Sequence, residues 1–344
     1  MKIQENIALA PLTTLGIGGP ARWFVEATSE AEIAEACLWA REQDVPLFVL
    51  GGGSNVLVAD VGFDGLALHV ALERMEQDGE LLRAAAGTPW VDCVEQALRA
   101  NCAGLECLAG IPGTVGGTPV QNVGAYGQEV ASVIERVRAF DRVAQKFVEF
   151  ANAECGFAYR KSRFNSTDRE RYVVTRVDYR LRKNGAPTLT YAELKAHFSG
   201  REKTSSLAEV AEAVREIRRG KGMLLVEGDP DCRSAGSFFK NPSVAPEVAE
   251  RVEQIAADAG VAVRVFPAEG GLVKIPAAWL IEQAGFRKGY ALGAAGISSR
   301  HTLALVNRGS ATAAEILALA EKIQAAVEAR FGIPLETEPE MVGF

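Results

Sequence analysis

Three polar residues, far apart in the sequence, could take part directly in chemistry. Arg160 lies in the segment 157–164 among aromatic residues, where its guanidinium could bind a carboxylate in bidentate fashion; a surface arginine on a strand is the alternative. Ser237 follows a glycine and precedes two phenylalanines, which indicates either a hydroxyl presented by a tight turn or a turn with a buried aromatic pair. No G-x-S-x-G surrounds it, so a hydrolase elbow is not supported. Glu340 lies in an acidic segment near the C-terminus, where carboxylates are usually solvated.

Two glycine-rich runs could hold a ligand by main chain. The first is Gly51–Asn55, and the second, Ile111–Gly127, contains five glycines, two prolines and no charged residue. Glycine allows close approach to a ligand, and the N–H groups of such loops suit phosphate oxygens. Neither run contains the lysine of a P-loop. We therefore expect a diphosphate-bearing cofactor, with a turn-rich β connection as the alternative. The predicted cofactor-binding residues are Gly51, Gly52, Gly53, Ser54, Asn55, Ile111, Pro112, Gly113, Gly116, Gly117, Gln121, Asn122, Gly124, Ala125, Tyr126 and Gly127.

The elements around the first run argue against a Rossmann fold. An apolar strand over 47–50 leads into the glycines and strand-type residues resume over 56–58, whereas the dinucleotide fingerprint opens a helix. The segment 16–21 matches G-x-G-x-x-A, but Pro20 and its turn-rich flanks make a helix there improbable.

Helices are predicted where capping signals precede apolar periodicity. Ser29 and Ser206 each precede a glutamate by three residues, the pattern of a capping box. Thr88 is expected to cap a helix with Pro89 at its first position, and its apolar face would carry Val91, Val94 and Leu98. Further helices are expected near 246–259, 276–284 and 313–331, strands over 130–150 and 172–181, and an irregular connection over 185–203.

Composition narrows the class of protein. The net charge of −7 argues against nucleic acid or an anionic membrane as the main partner. No apolar run has the length of a membrane span, and no signal peptide is evident. The six cysteines show no C-x-x-C spacing, so we expect no metal site, no disulfides and a cytoplasmic location.

The ordered set of motifs resembles the UDP-N-acetylenolpyruvoylglucosamine reductase family over nearly the whole chain. Each piece is weak alone, but the set is specific. The matching segments are 13–19, 50–55, 104–106, 111–127, 159–162, 236–242, 279–281 and 338–340.

The resemblance implies an α+β fold. An FAD-binding domain of the vanillyl-alcohol-oxidase type would span 1–200, with subdomains of about 1–66 and 67–200, and an α+β substrate-binding domain would span 201–344. The last segment would return to the active site. FAD would be bound non-covalently and NADPH would supply hydride. NADPH and UDP-N-acetylglucosamine-enolpyruvate would use the same site in a monomer, and the product would be UDP-N-acetylmuramate for peptidoglycan.

The resemblance also implies residue roles. Arg160 and Glu340 would stabilise charge on the substrate carboxylate, Ser237 would donate a proton to carbon, and Glu340 would need a raised pKa in a dry site. The residues that match substrate contacts are Tyr159, Tyr191, Lys221, Asn241 and Lys274. Tyr191 resembles the mobile tyrosine of the form with an extra closing loop. The chain departs from that form at Phe266, where many members have tyrosine.

Two other functions remain open from the sequence. A flavin oxidase of the same fold often tethers its flavin, for which His69 and Cys107 are the candidates near the glycine runs. A nucleotide-sugar binding protein without enzymatic activity would keep the fold and lack the flavin.

Overall fold

The computed structural model describes residues 1–200 and 205–344. The first sheet contains four strands, in the order Gln4–Ala8, Pro20–Ala27, Phe63–Val70 and Leu47–Leu50. The outer pair at Gln4–Ala8 is antiparallel and the other pairs are parallel. Strand Pro20–Ala27 follows directly on the segment 16–21, so no helix opens there. Strand Phe63–Val70 also continues through residue 66, so the first sheet ends after Val70 and a subdomain division at 66 would cut a strand.

Helix Glu30–Glu42 covers the first sheet. The hydroxyl of Ser29 accepts the Glu32 N–H at 3.3 Å, which confirms the predicted cap. Ile33 and Cys37 are buried among the strands. The capping signal and the apolar spacing therefore agree on where this helix begins and which face it buries.

A second, antiparallel sheet carries the strands predicted after the long glycine run. Its order is Lys146–Ala151, Ile134–Asp141, Tyr172–Arg180, Leu81–Ala85 and Met75–Asp78. The short pairs and 3-10 turns that complete this domain are Cys102–Ala103 with Arg182–Lys183, Gly124–Ala125 with Gln128–Glu129, Ala10–Leu12, Glu106–Leu108, Val115–Gly117, Val130–Ser132, Asn152–Glu154 and Arg163–Asn165.

The helix after Thr88 differs from its prediction. It spans Trp90–Arg99, and the Thr88 hydroxyl donates to the Arg74 carbonyl (3.1 Å) instead of capping the helix. Trp90 is buried and its indole N–H donates to the Leu108 carbonyl at 3.2 Å. That anchor turns the helix so that Val91 is 43% exposed. The buried positions are Trp90, Cys93, Val94 and Ala97.

The region predicted as an irregular connection contains one short helix, Ala192–His197. Residues 201–204, next to the predicted domain boundary, lie outside the described residues. The following helix, Leu207–Gly220, begins with the expected capping box at Ser206. Its residues Val210 and Val214 pack in the same core as the two N-terminal sheets. By its contacts, this helix therefore belongs to the N-terminal domain, together with the residues before 200.

A second core forms the C-terminal domain. Its helices are Pro246–Asp258, Ala277–Gln283 and Ala313–Phe331, close to their predicted positions. Two small antiparallel sheets accompany them. The first has the strand order Ser243–Val244, Val273–Lys274, Phe266–Pro267, and the second has the order Ala291–Leu292, Ala295–Ile297, Leu305–Asn307. Turns of 3-10 type lie at Pro230–Cys232 and Glu269–Gly271. Gly332 takes the left-handed conformation (φ 68°) that ends the long helix.

The C-terminal segment joins the two domains. Strand Glu340–Val342 pairs in parallel with Val56–Val58, which directly follows the first glycine run. No helix within 1–200 or 205–344 has the length and apolarity to span a bilayer.

Candidate active site

One cleft of about 1500 Å³ collects almost all the candidate residues. It lies between the two glycine runs and the C-terminal domain. Arg160, Ser237 and Glu340 line it, together with the five predicted substrate-binding residues. The predicted cofactor-binding residues line it too, except Asn122. The fold therefore brings together segments that are far apart in the chain, such as those of Asn55 and Glu338, which are 283 residues apart.

The two glycine runs pack directly on each other. A Cβ on Gly52 would lie 2.6 Å from Cα of Gly113, so only glycine allows this approach. The Ser54 hydroxyl donates to the Pro112 carbonyl at 3.3 Å. By contrast, a Cβ on Gly117 would meet nothing within 4 Å, because this glycine faces the open cleft. The runs thus form one main-chain cradle, and its size and its lack of lysine suit a large diphosphate-bearing ligand such as FAD.

Asn55 connects this cradle to the C-terminal segment. Its Nδ2 donates to Oε1 of Gln121 at 2.9 Å and to the Glu338 carbonyl at 3.3 Å. The backbone carbonyl of Asn55 accepts the Glu340 N–H at 2.9 Å. One side chain therefore links both glycine runs to the strand that returns from the other domain.

Asn122 makes its hydrogen bonds within the protein. It is 1% exposed, and its Nδ2 donates to Glu129 Oε2 (2.9 Å) and to the Ala158 carbonyl (3.0 Å). Its Oδ1 accepts the Ala131 N–H. Every polar atom of this amide thus has a protein partner, and Asn122 does not line the cleft, so the binding of cofactor by this residue stays a prediction.

A two-residue turn presents Tyr159 and Arg160 to the cleft. It is closed by two hydrogen bonds of 3.0 Å between the backbones of Ala158 and Lys161. Arg160 has φ 54°, an uncommon conformation for a residue with a side chain. Its Nε donates to Glu338 Oε1 at 2.9 Å, and its Nη2 donates to the Gly124 carbonyl at 2.8 Å. The turn therefore aims the guanidinium at the second glycine run and at the C-terminal segment.

The carboxylate beside Arg160 belongs to Glu338. Its side chain is 11% exposed, and burial raises the pKa of this carboxyl while Arg160 acts in the opposite direction. The side chain of Glu340 is 45% exposed and pairs with Arg169. Glu340 was expected to act together with Arg160 on the substrate, but the structure pairs Glu338 with Arg160 and Glu340 with Arg169.

Between these two glutamates the backbone of the C-terminal segment changes its hydrogen-bond partner from one domain to the other. The Glu338 N–H donates to the Phe238 carbonyl in the C-terminal domain, whereas the Glu340 N–H donates to Asn55 in the N-terminal domain. No local pattern in the sequence distinguishes two glutamates separated by one proline.

Ser237 lies next to this contact. Gly236 has φ 75°, and Ser237 is half-buried at the wall of the cleft. The next two residues, Phe238 and Phe239, are buried with ring centroids 5.5 Å apart. Both interpretations of this motif therefore hold, because the aromatic pair fixes the backbone that presents the hydroxyl.

Tyr159 is surrounded by two of the predicted substrate-binding residues. Lys274 Nζ lies 3.7 Å from the Tyr159 ring centroid, and Asn241 Nδ2 donates to the Tyr159 hydroxyl at 3.4 Å. The Asn241 Oδ1 accepts the Ala277 N–H at 2.9 Å, which fixes the amide. Phe266, opposite Lys274 in the small sheet, is 41% exposed and supplies no hydroxyl.

A second cation lies beside two tyrosine rings that contact each other. Lys221 Nζ lies 5.6 Å from the ring of Tyr126 and 6.0 Å from that of Tyr191. It pairs with Glu193 Oε2 at 2.6 Å. Burial raises the pKa of Tyr126 to about 12, so this hydroxyl is protonated at neutral pH.

Besides Glu338, two further cleft residues that the sequence did not single out are His301 and Arg218. His301 lines the cleft near Lys221, and burial together with Lys221 and Lys288 lowers its pKa to about 4, so the ring is neutral at pH 7. Arg218 is 7% exposed, and its Nε donates to the Gly110 carbonyl at 3.0 Å. Neither belongs to a motif, and helical spacing alone would place Arg218 on either face.

The two candidate flavin tethers, His69 and Cys107, are engaged with protein partners. His69 pairs with Glu26 at 3.2 Å, and Cys107 is buried with its thiol donating to the Thr188 carbonyl. Neither lines the cleft. Within the described part of the chain, no group of three or more histidine, cysteine or acidic residues could hold a metal ion.

Comparison with known proteins agrees with this arrangement. A family model described as FAD binding domain matches residues 21–145, and a model described as UDP-N-acetylenolpyruvoylglucosamine reductase, C-terminal domain, matches residues 229–342. The fold class expected from the sequence is thereby confirmed.

Full-length relatives extend the match to the whole chain. The UDP-N-acetylenolpyruvoylglucosamine reductase of Streptomyces coelicolor is 48% identical over 99% of this chain and 91% of its own. That of Thermobifida fusca is 45% identical over 98% of both chains. The crystal structure of the reductase from Thermus caldophilus superposes with a TM-score of 0.69 at 29% identity, covering 99% of each chain. This chain belongs to the UDP-N-acetylenolpyruvoylglucosamine reductase family.

Proposed function

We propose that this protein reduces the enolpyruvyl ether of UDP-N-acetylglucosamine-enolpyruvate to UDP-N-acetylmuramate for peptidoglycan synthesis. FAD is the bound cofactor, and NADPH is the electron donor that uses the same cleft before the substrate. The observation that carries this proposal is the Arg160–Glu338 pair, which lies against the main-chain cradle and beside Ser237. We further propose a cytoplasmic monomer.

The residues of the cradle fit FAD. Gly51–Asn55 and Ile111–Gly127 provide main chain and small side chains at the cleft wall, and Gly117 leaves room where a Cβ would project toward the ligand. When bound, FAD supplies the hydride chemistry, since it accepts reducing equivalents from NADPH and passes them to the substrate. The protein supplies binding, orientation and electrostatics.

The main task of the protein groups is to stabilise negative charge at the substrate carboxylate. An enol ether is electron-rich and accepts hydride poorly, so charge that develops next to the carboxylate must be stabilised. The Arg160 guanidinium is permanently charged and can bind the carboxylate. Burial raises the Glu338 pKa, so a protonated Glu338 can donate a hydrogen bond there without adding a second negative charge.

Ser237 provides the proton. A hydroxyl is a weak acid, but once the terminal carbon has received hydride, the adjacent carbon that bears the carboxylate is a strong base, so a neutral donor suffices. The turn at Gly236 and the buried Phe238 keep this hydroxyl at the cleft wall. Ser237 directly precedes Phe238, whose carbonyl accepts the Glu338 N–H, and this contact supports a proton donor close to the charge-stabilising pair.

Two cations serve the diphosphate and the remaining polar groups of the nucleotide sugar. Within residues 1–200 and 205–344, Lys221 and Lys274 are the lysines that line the cleft. Lys221 lies beside the rings of Tyr126 and Tyr191, and Lys274 lies over the ring of Tyr159. Each is held by aromatic rings and therefore keeps its charge directed into the cleft.

The test is anaerobic stopped-flow spectroscopy of the holoenzyme. We expect NADPH to bleach the flavin absorbance and the enolpyruvyl nucleotide sugar to restore it, with formation of UDP-N-acetylmuramate. A flavin that oxygen reoxidises, but this substrate does not, would contradict the proposal and favour an oxidase.

A further inference from the structure

We infer that Glu106 is a positioning residue, which fixes the two tyrosines around Lys221 and so sets the affinity for the nucleotide sugar. The inference rests on the proposed function for its ligand and on the geometry for its mechanism. Glu106 does not line the cleft. It is 1% exposed, on the short turn Glu106–Leu108 behind the second glycine run.

The Glu106 carboxylate is held by neutral donors. Its Oε2 accepts the Gly104 N–H at 2.7 Å, and its Oε1 accepts Nε2 of Gln128 at 2.7 Å and the Thr188 N–H at 2.8 Å. Burying a carboxylate is costly unless its lone pairs are satisfied. These bonds therefore depend on one another, and the segments that supply them are fastened together.

Gln128 completes the anchor. Its Oε1 accepts the Cys107 N–H at 2.8 Å, and its Nε2 also donates to the Thr188 hydroxyl at 3.0 Å. The Cys107 thiol donates to the Thr188 carbonyl at 3.2 Å. Thr188 is thus bound through its N–H, its carbonyl and its hydroxyl, although its neighbours belong to an irregular segment.

The anchor has a tyrosine on each side. Tyr126 precedes Gln128 by two residues, and Tyr191 follows Thr188 by three. The two rings meet edge to face, with centroids 5.3 Å apart, and both lie near Lys221. A Cβ on Gly127 would lie 2.1 Å from the Thr190 hydroxyl oxygen. The segments 126–128 and 188–191 are therefore in close contact between the anchor and the two rings.

Loosening the anchor should therefore displace Tyr191 without touching the residues that react. A glutamine at 106 can accept with only one of its two terminal atoms, so at least one buried N–H loses its partner. The consequence is a ligand pocket that is incompletely formed before binding. Such a defect raises KM and leaves the chemical step largely intact.

The experiment uses the full-length FAD-loaded enzyme with Glu106→Gln. We expect KM for the enolpyruvyl nucleotide sugar to rise roughly tenfold or more, with kcat within about threefold of the native value and an unchanged flavin content. Hydrogen exchange measured without substrate should accelerate over 186–191. This last readout is independent of the reaction, so it tests the anchor even if the proposed substrate proves wrong.

A double-mutant cycle separates positioning from a general loss of stability. Tyr191→Phe and Glu106→Gln should be non-additive in KM, because a displaced tyrosine has no hydroxyl contact left to lose. Asp141→Asn is the control, since Asp141 is 2% exposed, does not itself line the cleft, and accepts two backbone N–H groups as well as the Arg171 guanidinium. It should lower stability without raising KM.

Two results would overturn the inference: full additivity with Tyr191→Phe, or a KM increase no larger than that of Asp141→Asn. If Glu106→Gln does not fold, Thr188→Val removes only the hydroxyl bond to Gln128. That milder variant must then accelerate exchange over 186–191, and native exchange there would equally refute the anchor.

Discussion

At the scale of single residues, the decisive observation is which carboxylate accompanies Arg160. Arg160 is 19% exposed and Glu338 is 11% exposed, so the pair is largely withdrawn from water. Removing one partner of such a pair leaves the other uncompensated. Placed at the wall of a substrate cleft, the same pair is available to bind an incoming carboxylate and to stabilise charge on it.

The first prediction compares the two glutamates of the C-terminal segment. Glu338→Gln should lower kcat by about 10²–10³, the usual cost of losing one preorganised stabilising group, while flavin binding persists. Glu340→Gln, whose side chain pairs with Arg169 at the surface, should retain activity within about threefold. Steady-state kinetics of both variants, with flavin content measured from absorbance, decides between them. The reverse order of effects would restore Glu340 as the functional group.

The second prediction concerns His301 and pH. Its pKa is lowered from 6.5 to about 4 in the folded protein, so between these values the unfolded chain binds a proton that the folded protein does not. Stability contributed by the neutral ring is therefore lost as pH falls through this window. His301→Gln should show a smaller drop in Tm between pH 7 and pH 5 than the native protein. His197→Gln, at an exposed position, is the control for a general effect of replacing a histidine.

At the scale of elements, two helices meet at Lys221. Helix Leu207–Gly220 ends just before this lysine, and helix Ala192–His197 begins just after Tyr191 and carries Glu193 in its first turn. The Glu193–Lys221 pair thus connects the tyrosine-bearing loop to the end of a helix from the first core. In this pair Glu193 binds the same Lys221 ammonium group that we assign to the ligand.

The third prediction follows from that competition. The Glu193 side chain is 47% exposed, so the ion pair itself contributes only about 0–1 kcal/mol. Glu193→Gln should free Lys221 for the diphosphate and lower KM for the nucleotide sugar by roughly two- to fivefold at low salt. Glu212→Gln, which breaks the ion pair with Arg215 on the same helix, is the matched control. A higher KM in Glu193→Gln would mean that Glu193 supports the site instead of competing for it.

At the scale of the whole molecule, the C-terminal segment makes one site from two cores. Residues 336–338 pair with the segment after Ser237, and residues 340–342 pair with Val56–Val58. Glu338 stands at the crossing between these two pairings. The geometry of the reacting groups therefore depends on the relative placement of both domains.

The fourth prediction concerns how the flavin is held. The cradle is main chain, and neither candidate tether, His69 or Cys107, lines the cleft. Acid precipitation of the holoenzyme should therefore release the yellow colour into the supernatant. Colour that stays with the denatured polypeptide would show a covalent link and contradict the proposed mode of binding.

The sequence by itself determined the elements and the kind of ligand. Capping boxes and apolar spacing placed the helices at Glu30–Glu42, Leu207–Gly220 and Ala313–Phe331, because these signals act over a few neighbouring residues. The uncharged glycine runs predicted a main-chain cradle, and the ordered motifs predicted the family.

Only the tertiary structure decided which side chains meet. Glu338 and Arg160 are 178 residues apart, and their contact depends on where the last strand leaves one domain for the other. Asn122 lies within the cofactor motif but turns its amide toward Glu129 and Ala158, and His301 belongs to no motif yet faces the cleft. Local patterns constrain backbone conformation, whereas the partner of a buried polar group is set by whichever distant segment the packing brings to it.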